Sequence, residues 1–67
     1  MIVFTPLWKK LREKNMTAQT LIVKHKISRR NIIRLRYNKP VSLLLVIKLC
    51  AILECNVNDI FLYIPDK

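Results

Sequence analysis

Residues 17–36 read TAQTLIVKHKISRRNIIRLR, and this stretch decides the fold. Thr17 and Ser28 are residue types that favour the N-cap position of a helix, where their hydroxyl oxygens accept hydrogen bonds from otherwise unpaired backbone amides. We expect one helix from Thr17 to near His25 and a second from Ser28 to about Arg36. The stretch therefore predicts two short helices joined by a tight turn at residues 26–27.

Apolar residues in this stretch recur at the spacing of helices. Leu21 and Ile22 form the apolar side of the first helix, and Ile32 and Leu35 form that of the second, with Ile27 preceding its cap. The remaining face of the second helix is polar and cationic: Arg29, Arg30, Asn31 and Arg34. A small helical scaffold that presents a cationic helix is a known means of reading the DNA major groove.

The charge of the chain is concentrated in one segment. Its formal net charge is +9, from 13 basic and 4 acidic residues. Between Lys9 and Lys39 there are 11 Lys or Arg residues against one acid, Glu13, whereas the remainder from Pro40 carries two basic and three acidic residues. Such segregation makes a basic face, which indicates a polyanionic partner rather than a generally soluble cationic surface.

Length and composition indicate a single folded domain over residues 1–67. The hydrophobic fraction of 52% excludes a disordered chain. A domain of 67 residues is marginal in stability, and a partner subunit often supplies the remainder. The chain contains no glycine, so other residues must fill any position with positive φ. This favours helices with short turns, an all-α fold, over hairpins.

Shorter elements are expected at the N-terminal end. Residues 1–4 are β-prone and predict a short N-terminal strand, which could pair with the region of Ile64 within or across protomers. Thr5 offers an N-cap followed by proline at the first helical position, and this helix is expected to end near Asn15. Trp8 lies on its apolar side, as a core or an interface aromatic.

The C-terminal part predicts two further helices after a loop at residues 37–40, where Asn38 best tolerates a left-handed conformation. Ser42 caps a fourth helix that is hydrophobic nearly all round, which suggests burial on more than one side and a protomer interface. Its expected core residues are Leu43, Val46, Ile47, Cys50 and Leu53. A fifth helix is predicted over residues 59–63, and Ile60, Leu62 and Tyr63 are expected at the same interface.

Nothing in the sequence indicates catalysis, a metal or a cofactor. Cys50 and Cys55 match no metal-ligand spacing and are expected to be reduced thiols. His25 is interpreted as a helix-terminal cation or spacer. No signal-peptide pattern is visible, and the apolar run of residues 43–53 is too short for a membrane span and contains Lys48. We therefore expect a cytoplasmic, non-enzymatic protein with no membrane or small-molecule partner.

A second pattern extends to the C-terminus: RLR-x-x-K, Ser-Leu, KLC, a cysteine and DI-x-x-YIPD. These motifs begin at Arg34, Ser42, Lys48, Cys55 and Asp59. Together with the two capped helices, they resemble the short single-domain branch of the Cro/phage-repressor (Xre-like) helix-turn-helix family over nearly the whole chain. The resemblance implies a compact five-helix bundle, often a homodimer, that binds operator DNA and regulates transcription.

The chain departs from the family pattern at several positions. Lys26 replaces the usual glycine of the turn, which costs on the order of 1–2 kcal/mol if the turn keeps its shape. The glutamine common after the threonine cap is Ala18, with Gln19 one place later. Leu44 and Ile47 stand where the family usually has acids in the fourth helix.

The candidate DNA contacts divide between bases and phosphates. Arg29 and Arg30 match base-contacting positions of the resembled family. Each could donate two hydrogen bonds to guanine, at O6 and N7, or contact phosphates alone. Asn31 could read adenine or bond a phosphate. The expected phosphate ligands are Arg34, Arg36, Lys39, Tyr37, Thr17 and Gln19. Lys26 is expected to add general electrostatic attraction, and Ser28 to act at the cap. Thr17 could instead act only as a cap, and Tyr37 could pack on the bundle.

The predicted function is sequence-specific binding of double-stranded DNA by a dimeric transcriptional regulator, in the manner of a repressor. A single domain of this size covers little DNA, so two half-sites about 34 Å apart are expected. Two alternatives remain: a membrane-active cationic peptide of the bacteriocin type, and an antitoxin-like DNA-binding module.

Overall fold

A computed structural model of the protein describes residues 1–65. In chain order, four α-helices follow a first short strand and precede a second one, and the two strands pair in a small sheet. In chain order, the elements are β1 (Ile2–Val3), α1 (Thr5–Glu13), α2 (Ala18–Val23), α3 (Arg29–Arg36), α4 (Leu43–Leu53), a 3₁₀ turn (Val57–Asp59) and β2 (Leu62–Tyr63). Asp66, the last residue of the C-terminal motif, lies outside the described residues.

The predicted fifth helix is wrong. The backbone amide of Asn56 donates to the carboxylate of Asp59 at 3.2 Å, and the Asp59 amide donates to the Asn56 carbonyl at 2.9 Å, which closes a single 3₁₀ turn. The chain then extends as β2 because its backbone pairs with β1, with Ile2 opposite Tyr63 and Val3 opposite Leu62. Tertiary pairing therefore overrides a helical reading of this segment, and the predicted strand pairing is confirmed within one chain.

A single hydrophobic core unites all four helices. Its buried members are Phe4, Leu7, Leu11, Leu21, Ile27, Ile32, Leu35, Leu45, Val46, Leu49, Leu53 and Ile60. Ile60 is completely buried, so the expectation that it lies at an interface is wrong. Trp8 and Cys50 are half-buried against this core.

The inward face of α4 agrees with the expected one at Val46 and Leu53 and differs from it at Leu43 and Ile47. Leu45, Val46, Leu49 and Leu53 are buried, whereas Leu43 and Ile47 are 69% and 53% exposed. The first helical turn is set by Ser42, whose hydroxyl accepts from the Leu45 amide at 3.2 Å as predicted. An almost uniformly apolar helix has no strong amphipathic period, so its sequence cannot specify which side faces inward.

The helix ends rely on left-handed residues other than glycine. Asn15, Lys26, Asn38 and Glu54 all have positive φ, between 52° and 61°. The left-handed conformation expected at Lys26 and Asn38 is confirmed. At the other end of α1, Phe4 rather than Thr5 is the cap residue, because the buried Phe4 carbonyl accepts from the Leu7 amide at 3.0 Å.

Candidate nucleic-acid interface

The turn between α2 and α3 is held by caps on both helices. The Thr17 hydroxyl accepts from the Thr20 amide, and the Ser28 hydroxyl accepts from the Asn31 amide, each at 3.2 Å. Between them, the Ile27 amide donates to the Leu21 carbonyl at 3.0 Å. Ile27 is buried, so its side chain anchors the turn to the core. These local contacts confirm the predicted helix-turn-helix, although α2 ends at Val23, before His25.

The orientation of α3 follows from its two buried residues. Ile32 and Leu35 face the core. Because successive residues in an α-helix are about 100° apart, Arg30, Ile33 and Arg34 lie on the opposite side. All three are exposed. The most outward residues of α3 are thus Arg30 and Arg34, with Ile33 beside them on the flank that faces α2.

Two other predicted residues lie on the flanks of α3. Arg29 is exposed and borders a groove between α2 and α3 that Gln19 also lines. On the other flank, Asn31 is half-buried and borders a cleft with Lys26 and Lys48. The fold therefore brings Gln19 to Arg29 and Lys26 to Asn31, from parts of the chain that precede the helix.

Arg36 has a contact that the sequence did not reveal. Its guanidinium carbon lies 5.6 Å from the centroid of the Trp8 ring, within the range of a cation–π interaction. This contact ties the C-terminal turn of α3 to α1. Arg36 thus positions the helix, while its exposed side chain retains free N–H donors. Tyr37, next along the chain, is 67% exposed and does not pack into the bundle.

The loop after α3 is held to the N-terminal strand. Asn38 adopts φ 58°, and its side-chain oxygen accepts a hydrogen bond from the Phe4 amide at 2.9 Å. The Lys39 amide donates to the Arg34 carbonyl at 2.7 Å. Lys39 itself is exposed at the helix end. The loop is thus built by residues distant in sequence, and it presents Tyr37 and Lys39 beside the end of α3.

Ile33 is a candidate contact residue that the sequence analysis missed. It is 56% exposed next to Arg30 and Arg34, at the edge of the groove between α2 and α3. A thymine C5-methyl group in the major groove offers an apolar partner. Its exposure could have been predicted by projecting the helix from Ile32 and Leu35, because that projection places Ile33 on the outward half of α3.

Within the described residues, the arginines of α3 are not neutralised by carboxylates of the same chain. Within residues 1–65, no arginine of α3 forms an ion pair with a carboxylate; the ion pair that the structure shows joins Lys10 and Glu13, at 3.6 Å on α1. A row of unpaired guanidinium groups creates a positive potential that attracts polyanions. Over the described part of the chain, no helix is both long and apolar enough to cross a membrane.

Comparisons with known proteins agree with this geometry. Residues 6–66 match the family model of the Cro/C1-type HTH DNA-binding domain. A crystal structure of the transcriptional regulator VanUg is similar to this chain, with a TM-score of 0.89 and 28% sequence identity over 97% of this chain and 87% of that one. No curated protein sequence matches the chain at a significant level. The chain belongs to the family of Cro/C1-type helix-turn-helix DNA-binding domains.

Proposed function

We propose that the protein is a transcriptional regulator that inserts α3 into the major groove of specific operator half-sites. The observation that carries this proposal is the exposed strip of Arg30, Ile33 and Arg34, which lies opposite the buried face of α3. Its similarity to VanUg, a transcriptional regulator, supports a regulatory role. Family membership favours this function over a membrane-active peptide.

The exposed side chains divide into base-reading and phosphate-binding groups. Arg29 and Arg30, in the first turn of α3, are assigned to guanine edges, where each bidentate contact contributes about 1–3 kcal/mol of discrimination. Ile33 is assigned to a thymine methyl group. Asn31, half-buried on its flank, is better placed for a phosphate or for the edge of the site than for its centre.

Phosphate contacts are assigned to the periphery of α3. Thr17 and Gln19 lie at the N-terminus of α2, where unpaired amides and the helix dipole favour an anion, and Ser28 occupies the matching position on α3. Lys26 lies in the turn, and at the far end of α3 the exposed groups assigned to phosphates are Arg34, Arg36, Tyr37 and Lys39. Arg34 is far enough outward to reach a base edge as well.

We further propose that the protein binds as a homodimer through the exposed face of α4. Leu43, Leu44 and Ile47 form one apolar surface, and Leu44 borders the cleft that also contains Lys26 and Asn31. A twofold contact here would bring two copies of α3 near one another on the same side of the DNA. Occupying an operator in this way would obstruct polymerase, so we assign repression as the outcome.

The test is DNA selection from a random library, followed by fluorescence anisotropy on the selected site and on a scrambled duplex. Arg30→Ala is compared with Lys9→Ala, which removes one positive charge from an exposed position on α1. We expect Arg30→Ala to reduce specific affinity by about 5- to 150-fold while scrambled binding falls far less. Lys9→Ala should weaken both duplexes equally and slightly. Equal losses on both duplexes for Arg30→Ala would reduce Arg30 to a phosphate contact, and no selected site would refute sequence-specific regulation.

A further inference from the structure

Cys50 and Cys55 meet at the C-terminal end of α4, on the part of the fold that the DNA proposal does not use. Glu54 takes the left-handed conformation, with φ 52° and ψ 52°. The Cys55 amide donates to the Cys50 carbonyl at 3.1 Å. This bond across five residues is that of a Schellman motif, which brings the side chains of its first and last residues together. Both cysteine side chains border the same surface cleft at this turn.

The backbone at this turn holds the two cysteines near the separation that a disulfide requires. A hydrogen bond of 3.1 Å between the Cys55 nitrogen and the Cys50 oxygen limits the Cα separation to at most about 7 Å, because the intervening covalent lengths are short and fixed. Disulfides span Cα separations of roughly 4.4–6.8 Å. We therefore expect the bond to close mainly by rotation of the two side chains, with the helix end kept in place.

Both thiols are also accessible to a small reagent. Each cysteine is free and only half-buried. They line a shallow surface cleft together with Lys10 and Asp59, beside the 3₁₀ turn. A buried structural thiol would be inert, whereas a partly exposed pair can meet a reagent from solution.

We infer that Cys50 and Cys55 form a dithiol modification site that closes to an intrachain disulfide by exchange with a low-molecular-weight disulfide. One cysteine thiolate attacks a sulfur of the reagent, which forms a mixed disulfide and expels one reagent thiolate. The second cysteine attacks the protein sulfur of that mixed disulfide, and the other reagent thiolate leaves. The two cysteines are oxidised together, and the reagent disulfide is reduced to two thiols that take up the cysteine protons.

The surroundings of Cys55 indicate the order of attack. Burial raises the pKa of the Cys55 thiol, the neighbouring Cys50 and Asp59 raise it further, and Lys10 opposes them. A smaller thiolate fraction slows the reaction of Cys55 with a reagent in solution. The same disadvantage matters less when Cys55 attacks a sulfur already beside it. Cys55 is therefore the poorer first nucleophile, and we assign it to the intramolecular step, because the backbone bond between Cys55 and Cys50 holds the two residues together.

The main test uses the wild-type chain equilibrated with graded ratios of reduced and oxidised glutathione, quenched with acid, alkylated and weighed by mass spectrometry. Closure appears as a loss of two hydrogens and of both alkylation sites. We expect the equilibrium constant for closure to be larger in buffer than in concentrated urea by on the order of tenfold or more, because the fold holds the thiols together. An equal or smaller constant in the folded protein, or disulfide-linked dimers as the main product, would overturn the inference.

Two variants test the order of attack, with circular dichroism to verify that each retains its helices. Cys55→Ser should accumulate a mixed disulfide with glutathione at Cys50. Cys50→Ser should form its mixed disulfide at Cys55 several-fold more slowly under the same conditions. The opposite order of rates would contradict the assigned roles, although closure of the wild-type pair would still be judged by the comparison between buffer and urea.

Discussion

Replacing Lys26 with glycine should stabilise the protein, although it removes a charged residue from the proposed DNA face. Lys26 has φ 61° in the turn between α2 and α3. There a side chain with a Cβ atom costs about 1–2 kcal/mol. Glycine avoids that cost but loses about 0.5–1 kcal/mol of additional backbone freedom on folding. The expected net gain in the free energy of unfolding is therefore about 0.5–1 kcal/mol.

The assay is reversible unfolding by urea and by heat, followed by circular dichroism. For a domain of this size, the gain corresponds to a rise in Tm of roughly 2–8 °C. Lys26→Ala is the matched control, because it removes the same charge and keeps the Cβ atom. We expect Lys26→Ala to be no more stable than the wild type. If the glycine and alanine variants unfold at the same urea concentration, the left-handed backbone does not store the strain assigned to it.

The same two variants separate backbone strain from DNA contact. If Lys26 neutralises a phosphate, log affinity falls with log salt, and both variants should make this negative slope shallower by about 0.9. The loss should be the same for glycine and alanine, since neither carries a cation. An unchanged slope in both would remove Lys26 from the phosphate-binding set without affecting the stability argument.

Three further substitutions test contacts distributed over the fold. Asn38→Gly should lower the free energy of unfolding measured in urea by about 1 kcal/mol, because it removes the oxygen that accepts from the Phe4 amide. Glycine suits the left-handed φ at this position, so a gain in stability would show that this hydrogen bond contributes little. Leu44→Glu, at a side chain that is 78% exposed, should leave the helical signal intact and weaken self-association measured by sedimentation, and an unchanged dimer would place the interface elsewhere. Arg36→Gln should change the fluorescence of Trp8, the one tryptophan of the chain, and cost about 0.5–1 kcal/mol, whereas identical spectra would argue against the cation–π contact in solution.

The local elements of the helix-turn-helix were predictable because their determinants are local. Thr17, Ser28 and Ser42 each accept a hydrogen bond from an amide three residues ahead, so the cap and the helix start lie in one short stretch of sequence. The inward pair Ile32 and Leu35 could be identified from spacing alone, since α3 has a clear contrast between apolar and charged residues.

The candidate site was predictable only in part. The cationic residues of α3 could be named from the sequence, but their ranking depends on how the helix is seated. Arg30 and Arg34 face outward, Asn31 turns toward the cleft beside Lys48, and Arg36 lies over Trp8. The Trp8 contact joins residues from the first and third helices, which no local pattern brings together.

What the sequence by itself determined is the starts of α2, α3 and α4, the single cationic segment and the family, because hydrogen-bonded caps, charge order and residue spacing are properties of neighbouring residues. Only the tertiary structure decided which side of α4 is buried and that residues 62–63 form a strand. A uniformly apolar helix has no preferred side until it packs, and a two-residue strand exists only through its partner. The same physical reason applies to both: their determining contacts join residues far apart in the chain.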